Sequence, residues 1–158
     1  QVHHMKALLS NGGEHLAAAR KRFSEGIPFG GSSAGAAVMS KIMITGEGDF
    51  SVIDDGKVET SEGLGLLDGF IVYQHFIKRS RENRLFGLML RHRDHVGLGI
   101  DEHTALAVEG DRAEVIGAGA VMVVHPGRAE REELSLELLR PGQAYDLKSL
   151  KRIDPHAP

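Results

Sequence analysis

In Gly31-Ser32-Ser33-Ala34-Gly35, two hydroxyls stand among residues with almost no side chain. The order Gly-x-Ser-x-Gly, with the apolar run from Ile27 before it and the helix-compatible stretch Ala34 to Met39 after it, is the pattern of a nucleophile elbow. A serine on a sharp strand-to-helix turn adopts a strained backbone, so the residues two positions away must lack bulk. That register selects Ser33 and leaves Ser32 in the variable position. The following helix would aim its N–H groups where negative charge develops during acyl transfer. The plainer alternative is a Gly/Ala-rich turn used only for close packing, and the pattern alone does not separate the two.

A serine nucleophile needs a base and a carboxylate to orient it. Of nine histidines, His15 falls in a helical run, His92 and His95 flank a polar turn, and His156 lies in the tail. His75 differs. It ends the apolar run Phe70-Ile-Val-Tyr-Gln74, at the C-terminal edge of a predicted strand, where open α/β sheets collect their sites. Taken singly, a strand-end histidine is more often just hydrogen-bonded to backbone. Asp101 and Glu102 close a second strand; alternation lets only one face the side of His75, and does not say which. Glu47, Asp54 and Asp55 are further carboxylates in a polar stretch. Directly after His75 come Lys78, Arg79, Arg81, Arg84, Arg91 and Arg93 against one acidic residue, Glu82. Arg81 and Arg84, three apart on an expected helix, suggest a pocket for an anionic group, arginine being suited to carboxylates. A solvated helix face is the alternative. A single-strand nucleic-acid groove would interleave several aromatics with its cations, and here Phe86 alone falls among them.

The elements that must hold these residues are short. Glu14 to Glu25 predicts a helix closed by Gly26, Ile27 to Gly31 a buried strand, and Gly46 to Glu62 a polar excursion with a small hairpin at Asp55-Gly56. Phe70 to Gln74 predicts a strand, and Arg79 to Arg93 a helix with Leu85, Leu88 and Met89 as its apolar stripe. Val96 to Ile100, Ala105 to Val108 and Val121 to Val124 predict three more strands, with Glu114 to Ile116 a further candidate. The tail from Pro141 reads as irregular. Strands alternating with helices argue for an α/β sheet.

At 158 residues the chain is about one domain, with neither internal repeat nor linker. Its 41% hydrophobic and 26% charged residues are those of a globular protein, and its net charge of −3 gives no global case for nucleic acid. No apolar run is long enough to span a membrane, and cysteine is absent, which excludes thiol nucleophiles and disulfides. The chain starts at Gln1 without an initiator methionine, so a fragment or processed chain is expected, with His3-His4-Met5 as native sequence.

"GSSAGAAVMS", "QHFIKRSRENRL" and "GLGIDEHTALAVEG" resemble, in order and spacing, three blocks of the cyanophycinase family of serine peptidases, peptidase family S51. The family blocks read GTSAGAAVMS, DQHF followed by spaced arginines and an Arg-Leu, and GIDE-x-TA. The likeness runs from about Gln1 to Gly127. It implies Ser33 as nucleophile, His75 as general base, Glu102 rather than Asp101 as third triad member, and the Ala34 N–H as one oxyanion donor. Gln1 would be the last residue of a Gly-Gly-x-Gln motif. It also implies that Gln74, Arg79, Arg81 and Arg84 bind the aspartyl and arginyl parts of a substrate. Where the family has aspartate before Gln-His-Phe, this chain has Tyr73, which removes a carboxylate that could meet a substrate guanidinium.

The fold implied is a three-layer α/β domain with a mostly parallel sheet, like class I glutamine amidotransferases. Residues 1–158 would be its C-terminal portion, and the N-terminal portion would be a partner supplying the first strands and a second oxyanion amide. The implied activity is a serine exopeptidase acting on cyanophycin or β-aspartyl dipeptides, with no metal or organic cofactor required. An α-aspartyl dipeptidase of the same superfamily and a non-catalytic binding module are the alternatives. A cytoplasmic location and a homodimer complete the expectations.

Overall fold

The computed structural model describes residues 13–48 and 51–153. Helix α1, Glu14–Ser24, is built of strong helix formers yet buries none of its residues. It is tied down by Arg20, whose Nε donates to the Leu64 carbonyl at 2.7 Å. The stretch Ile27 to Gly31 forms no strand and is exposed, with Ile27 and Phe29 accessible to 49% and 37%. A strand exists through its neighbours' N–H and C=O groups, and among the described residues none lies beside this one.

After the single-turn helix α2, Ala34–Ala37, strands β1, Ile42–Gly48, and β2, Val58–Glu62, pair antiparallel. The β-branched run in Lys41-Ile-Met-Ile-Thr45 accounts for β1, which the sequence reading passed over. The central sheet has the order β3-β4-β7-β8: β3 is Phe70–Gln74, β4 Val96–Ile100, β7 Val121–Pro126 and β8 Leu134–Leu139. Strands β5, Thr104–Glu109, and β6, Arg112–Gly117, join β9, Ala144–Asp146, and β10, Lys151–Ile153, in a second sheet of order β10-β9-β6-β5.

The α/β class is as expected, but the sheet is mixed rather than mostly parallel. Helix α3, Glu82–Arg91, supplies the crossover that makes β3 and β4 parallel. From β4 to β7 the chain instead passes through the β5–β6 hairpin, and β7 returns antiparallel. The tail is not irregular either. Gly142, at φ +81°, turns the chain after Pro141 and donates its N–H to the Val115 carbonyl, which starts β9 along β6.

Strand alternation divides the core. Ile71, Tyr73 and Val124 face Phe76, Leu85, Leu88 and Met89, with Ile44 and Val58 beside them. Phe70, Val72, Leu98, Val121 and Val123 face the other way, onto Val115 and Tyr145 of the second sheet. The third layer is therefore a sheet rather than helices. Burying Leu85, Leu88 and Met89 contributes about 1.5–3 kcal/mol each and fixes α3 on the sheet. The glycines of "VGLGI" make this possible: a Cβ on Gly97 would press on Leu85 at 3.1 Å, and one on Gly99 would strike the Phe76 ring at 2.4 Å. No helix among the described residues is long and apolar enough to cross a membrane.

Candidate active site

Ser33 occupies φ +53°, ψ −123°, a backbone conformation that costs a non-glycine residue about 1–3 kcal/mol. The turn is closed by Gly35 N–H to the Ser32 carbonyl and Ala36 N–H to the Ser33 carbonyl, both 2.9 Å. A Cβ on Gly31 would lie 2.1 Å from the Gly35 carbonyl oxygen, so only glycine fits there. At Gly35 a Cβ would meet nothing within 4 Å, so the demand for smallness falls on one side of the serine.

The expected base, His75, is delivered by β3. Directly after the strand, His75 takes φ +52°, and Phe76 drops beneath it into the space left by Gly99, donating its N–H to the Ile100 carbonyl. This reversal turns the imidazole toward α2. Ser33 Oγ lies 3.1 Å from His75 Nε2, and His75 Nδ1 lies 3.2 Å from Glu102 Oε1. An ionised carboxylate only accepts, so Nδ1 carries the proton and Nε2 is left as the acceptor for the serine hydroxyl. Glu102 stands in the turn after β4, backed by Thr104, whose Oγ1 donates to the Glu102 carbonyl and accepts the Gly119 N–H, each at 3.0 Å.

Beside the serine opens a cavity of about 210 Å³ lined by Ser33, Ala34, Thr45, Tyr73, Gln74, Arg79 and Arg81, among others. Arg79 reaches toward Glu102, 4.0 Å away, with its side chain 54% exposed. Arg81 donates to the carbonyl and the side-chain oxygen of Gln74, and its guanidinium sits 5.0 Å over the Tyr73 ring. Burial is the main force lowering the Arg81 pKa below the usual arginine value. Tyr73 opposes that shift, and the charges of Arg79 and Arg84 add to it. An anion entering the cavity would relieve the crowding of positive charge.

Residues 3–116 match the sequence model of Peptidase family S51, well over half of the chain. This chain belongs to peptidase family S51. It is 43% identical over 97 residues to the cyanophycinase of Trichormus variabilis, covering 61% of this chain and 33% of that protein. With the cyanophycinase of Synechococcus elongatus it shares 36% over 135 residues, covering 76% and 42%. With that of Geminocystis herdmanii it shares 35% over 138 residues, covering 78% and 51%. The chain thus spans between a third and about half the length of these relatives.

Not every expected residue of this S51 chain reaches the cavity. Arg84 is only 3% exposed, and its Nη1 donates to the Tyr73 hydroxyl from below. Its pairing with Arg81 on one helix face fails because α3 begins at Glu82, which leaves Arg81 outside as the N-cap. Tyr73 is among the residues lining the cavity, its hydroxyl accepting from Arg84, and as a tyrosine it has no carboxylate to offer a substrate. Gln1 lies outside the described residues. Asp54 accepts its own loop's Gly56 N–H, and Glu47 is exposed on β1. Thr45 and Gly46 were missed as cavity residues: Thr45 fell in no predicted element, and Gly46 read as the first residue of a surface excursion.

Asp101 has a task of its own. Its Oδ1 accepts the Lys78 N–H at 3.1 Å, holding the turn between His75 and Arg79. Asp101→Ala is expected to lower kcat about tenfold or more through loss of this charged hydrogen bond. Asp101→Asn, which keeps an acceptor oxygen, should recover most of the rate in the same assay. Equal losses in both variants would show that charge, not the anchor, matters at this position.

Proposed function

We propose that the chain carries the catalytic centre of a serine exopeptidase that hydrolyses aspartyl peptide bonds, with cyanophycin or β-aspartyl dipeptides as substrate class. One observation carries this: the hydrogen-bonded series Ser33, His75, Glu102 beside a cavity that presents Arg79 and Arg81. The names of the relatives, all cyanophycinases, support the substrate class.

In this reading Ser33 Oγ attacks the scissile carbonyl as His75 Nε2 takes its proton, and Glu102 stabilises the imidazolium through Nδ1–H. The Ala34 N–H, which follows the nucleophile, donates to the oxyanion. His75 then returns the proton to the leaving amine and draws one from water to release the acyl group. Arg79 and Arg81 bind the aspartyl carboxylate. A second reading, an α-aspartyl dipeptidase, is favoured by one feature: Tyr73 presents a neutral wall where an arginine side chain would need a carboxylate.

The test compares Arg81→Ala on an aspartyl dipeptide and on a neutral ester. Loss of a charge-assisted contact should reduce kcat/KM for the dipeptide by about tenfold to a hundredfold while the ester changes little. Equal losses on both would remove the anion site from the reading. Cleavage of α-Asp-Leu in preference to β-Asp-Leu would select the second reading.

A further inference from the structure

The turn between α3 and β4, His92-Arg93-Asp94-His95, gathers one ligand atom from each of His92, Asp94 and His95 within 4.8 Å of one another. We propose that these three residues bind a divalent transition-metal ion of the zinc type, at a site separate from the serine centre. Two imidazoles and one carboxylate are the borderline donor set that such ions take, whereas magnesium and calcium prefer oxygen alone.

The frame of the site is already built. The His92 N–H closes α3 on the Leu88 carbonyl at 2.7 Å, and the His95 N–H returns to the His92 carbonyl at 3.0 Å. The Val96 N–H then enters the sheet through the Gly69 carbonyl at 2.9 Å. Arg93 is turned to other work, its guanidinium donating to the carbonyls of Leu90 and Gly127 at 3.1 Å. The His95 side chain is only 13% exposed and is held, Nδ1 to Asp94 Oδ1, at 2.9 Å. The ion would take the place of that hydrogen-bonded proton; bonds of about 2.0–2.2 Å put tetrahedral ligand atoms about 3.3–3.6 Å apart, so the two atoms would need to part by about 0.5 Å. Asp94 is 80% exposed, so exchanging its hydrogen bond with His95 for the ion and closing the third side needs side-chain movement only. Carbonyls at the C-terminal end of α3 favour a cation there. The remaining coordination positions face solvent and would be filled by water.

The site lies at the opposite end of β3 and β4 from His75, since Phe70 pairs with Val96 and Gln74 with Ile100. Five strand residues separate the two by about 16 Å. The ion would therefore clip the end of α3 to the start of β4 without touching the nucleophile.

The test is titration of the chelator-treated protein with zinc chloride, read by calorimetry and by Tm. One equivalent should bind at this site with a rise in Tm, magnesium should give none, and hydrolysis should be unchanged by zinc at that stoichiometry. Outer-sphere changes at metal sites cost about 10–100-fold in affinity, so removing a direct ligand, His92→Gln or His95→Gln, should cost at least that. The exposed Asp94→Asn guards against a folding artefact: it should weaken zinc about tenfold or more while leaving the metal-free Tm unchanged. Absence of zinc binding, or binding that persists unchanged in all three variants, as it would if His3 and His4 held the ion, overturns the proposal.

Discussion

Ser33→Ala is expected to reduce hydrolysis of an aspartyl dipeptide by about a millionfold in kcat, the scale seen when a serine is removed from a working triad. Its neighbour sets the contrast. Ser32→Ala should stay within a factor of a few of the parent rate, because Ser32 is exposed and only its carbonyl holds the turn. The margin is large because the steps are coupled. In the proposed mechanism, without Oγ His75 has no proton to take and no acyl group forms, so the arginines and oxyanion donor would act on a carbonyl that nothing attacks. Active-site titration with a fluorophosphonate should label the parent and Ser32→Ala but not Ser33→Ala. A labelled Ser33→Ala protein would place the nucleophile elsewhere.

Gly31→Ala should be nearly as damaging without removing any reacting atom. The added methyl would sit 2.1 Å from the Gly35 carbonyl oxygen and 3.0 Å from the Ala36 nitrogen. Both are backbone, so no side-chain rotation relieves the clash, and α2 must shift relative to Ser33. Displacing a nucleophile by about 1 Å costs about a hundredfold, so a loss of that size or more is expected in kcat. The Tm should fall as well. Gly35→Ala is the matched control, since its methyl would enter open space. The pair therefore separates the steric closure of the elbow from a general need for glycine; similar losses at both positions would count against the closure.

What could be read in the sequence followed from how local each constraint is. Phe70 to Gln74 and Val96 to Ile100 were legible to the residue because both faces of these strands are covered, which leaves unbroken apolar runs. Ser33 and His75 were offered as candidates by local patterns, a glycine-bounded elbow and a histidine at a strand end, but their hydrogen bond joins residues far apart in the chain and no local pattern encodes it. Between Asp101 and Glu102 alternation could not decide, and the structure shows why. Beta-strand geometry stops at Ile100, and a turn with His103 at φ +54° sends the two carboxylates apart, Asp101 to Lys78 and Glu102 to His75. The resemblance to known blocks supplied what geometry on paper lacked. Ile27 to Gly31 was misjudged for the opposite reason: its apolarity is local, but strand formation depends on a neighbour. The tail from Pro141 was misjudged by composition, although the turn at Gly142 leads into another strand, and β8 was passed over although Leu134-Ser-Leu-Glu-Leu138 alternates cleanly. Arg84 shows that three-residue spacing means a shared face only where both residues lie inside the helix.

The backbone angles of Ser33 imply a trade between activity and durability. The mirror image of φ +53°, ψ −123° falls in the extended region every residue favours, and glycine, lacking handedness, occupies either version with equal ease. The position is thus one at which a glycine would be at rest and a side-chain-bearing residue is not. A lineage selected for thermal endurance alone would be drawn to replace this serine, and the fold would lose its hydroxyl in exchange for a relaxed turn. In the proposed mechanism the strain at this position is the cost of presenting a hydroxyl where a glycine would present nothing.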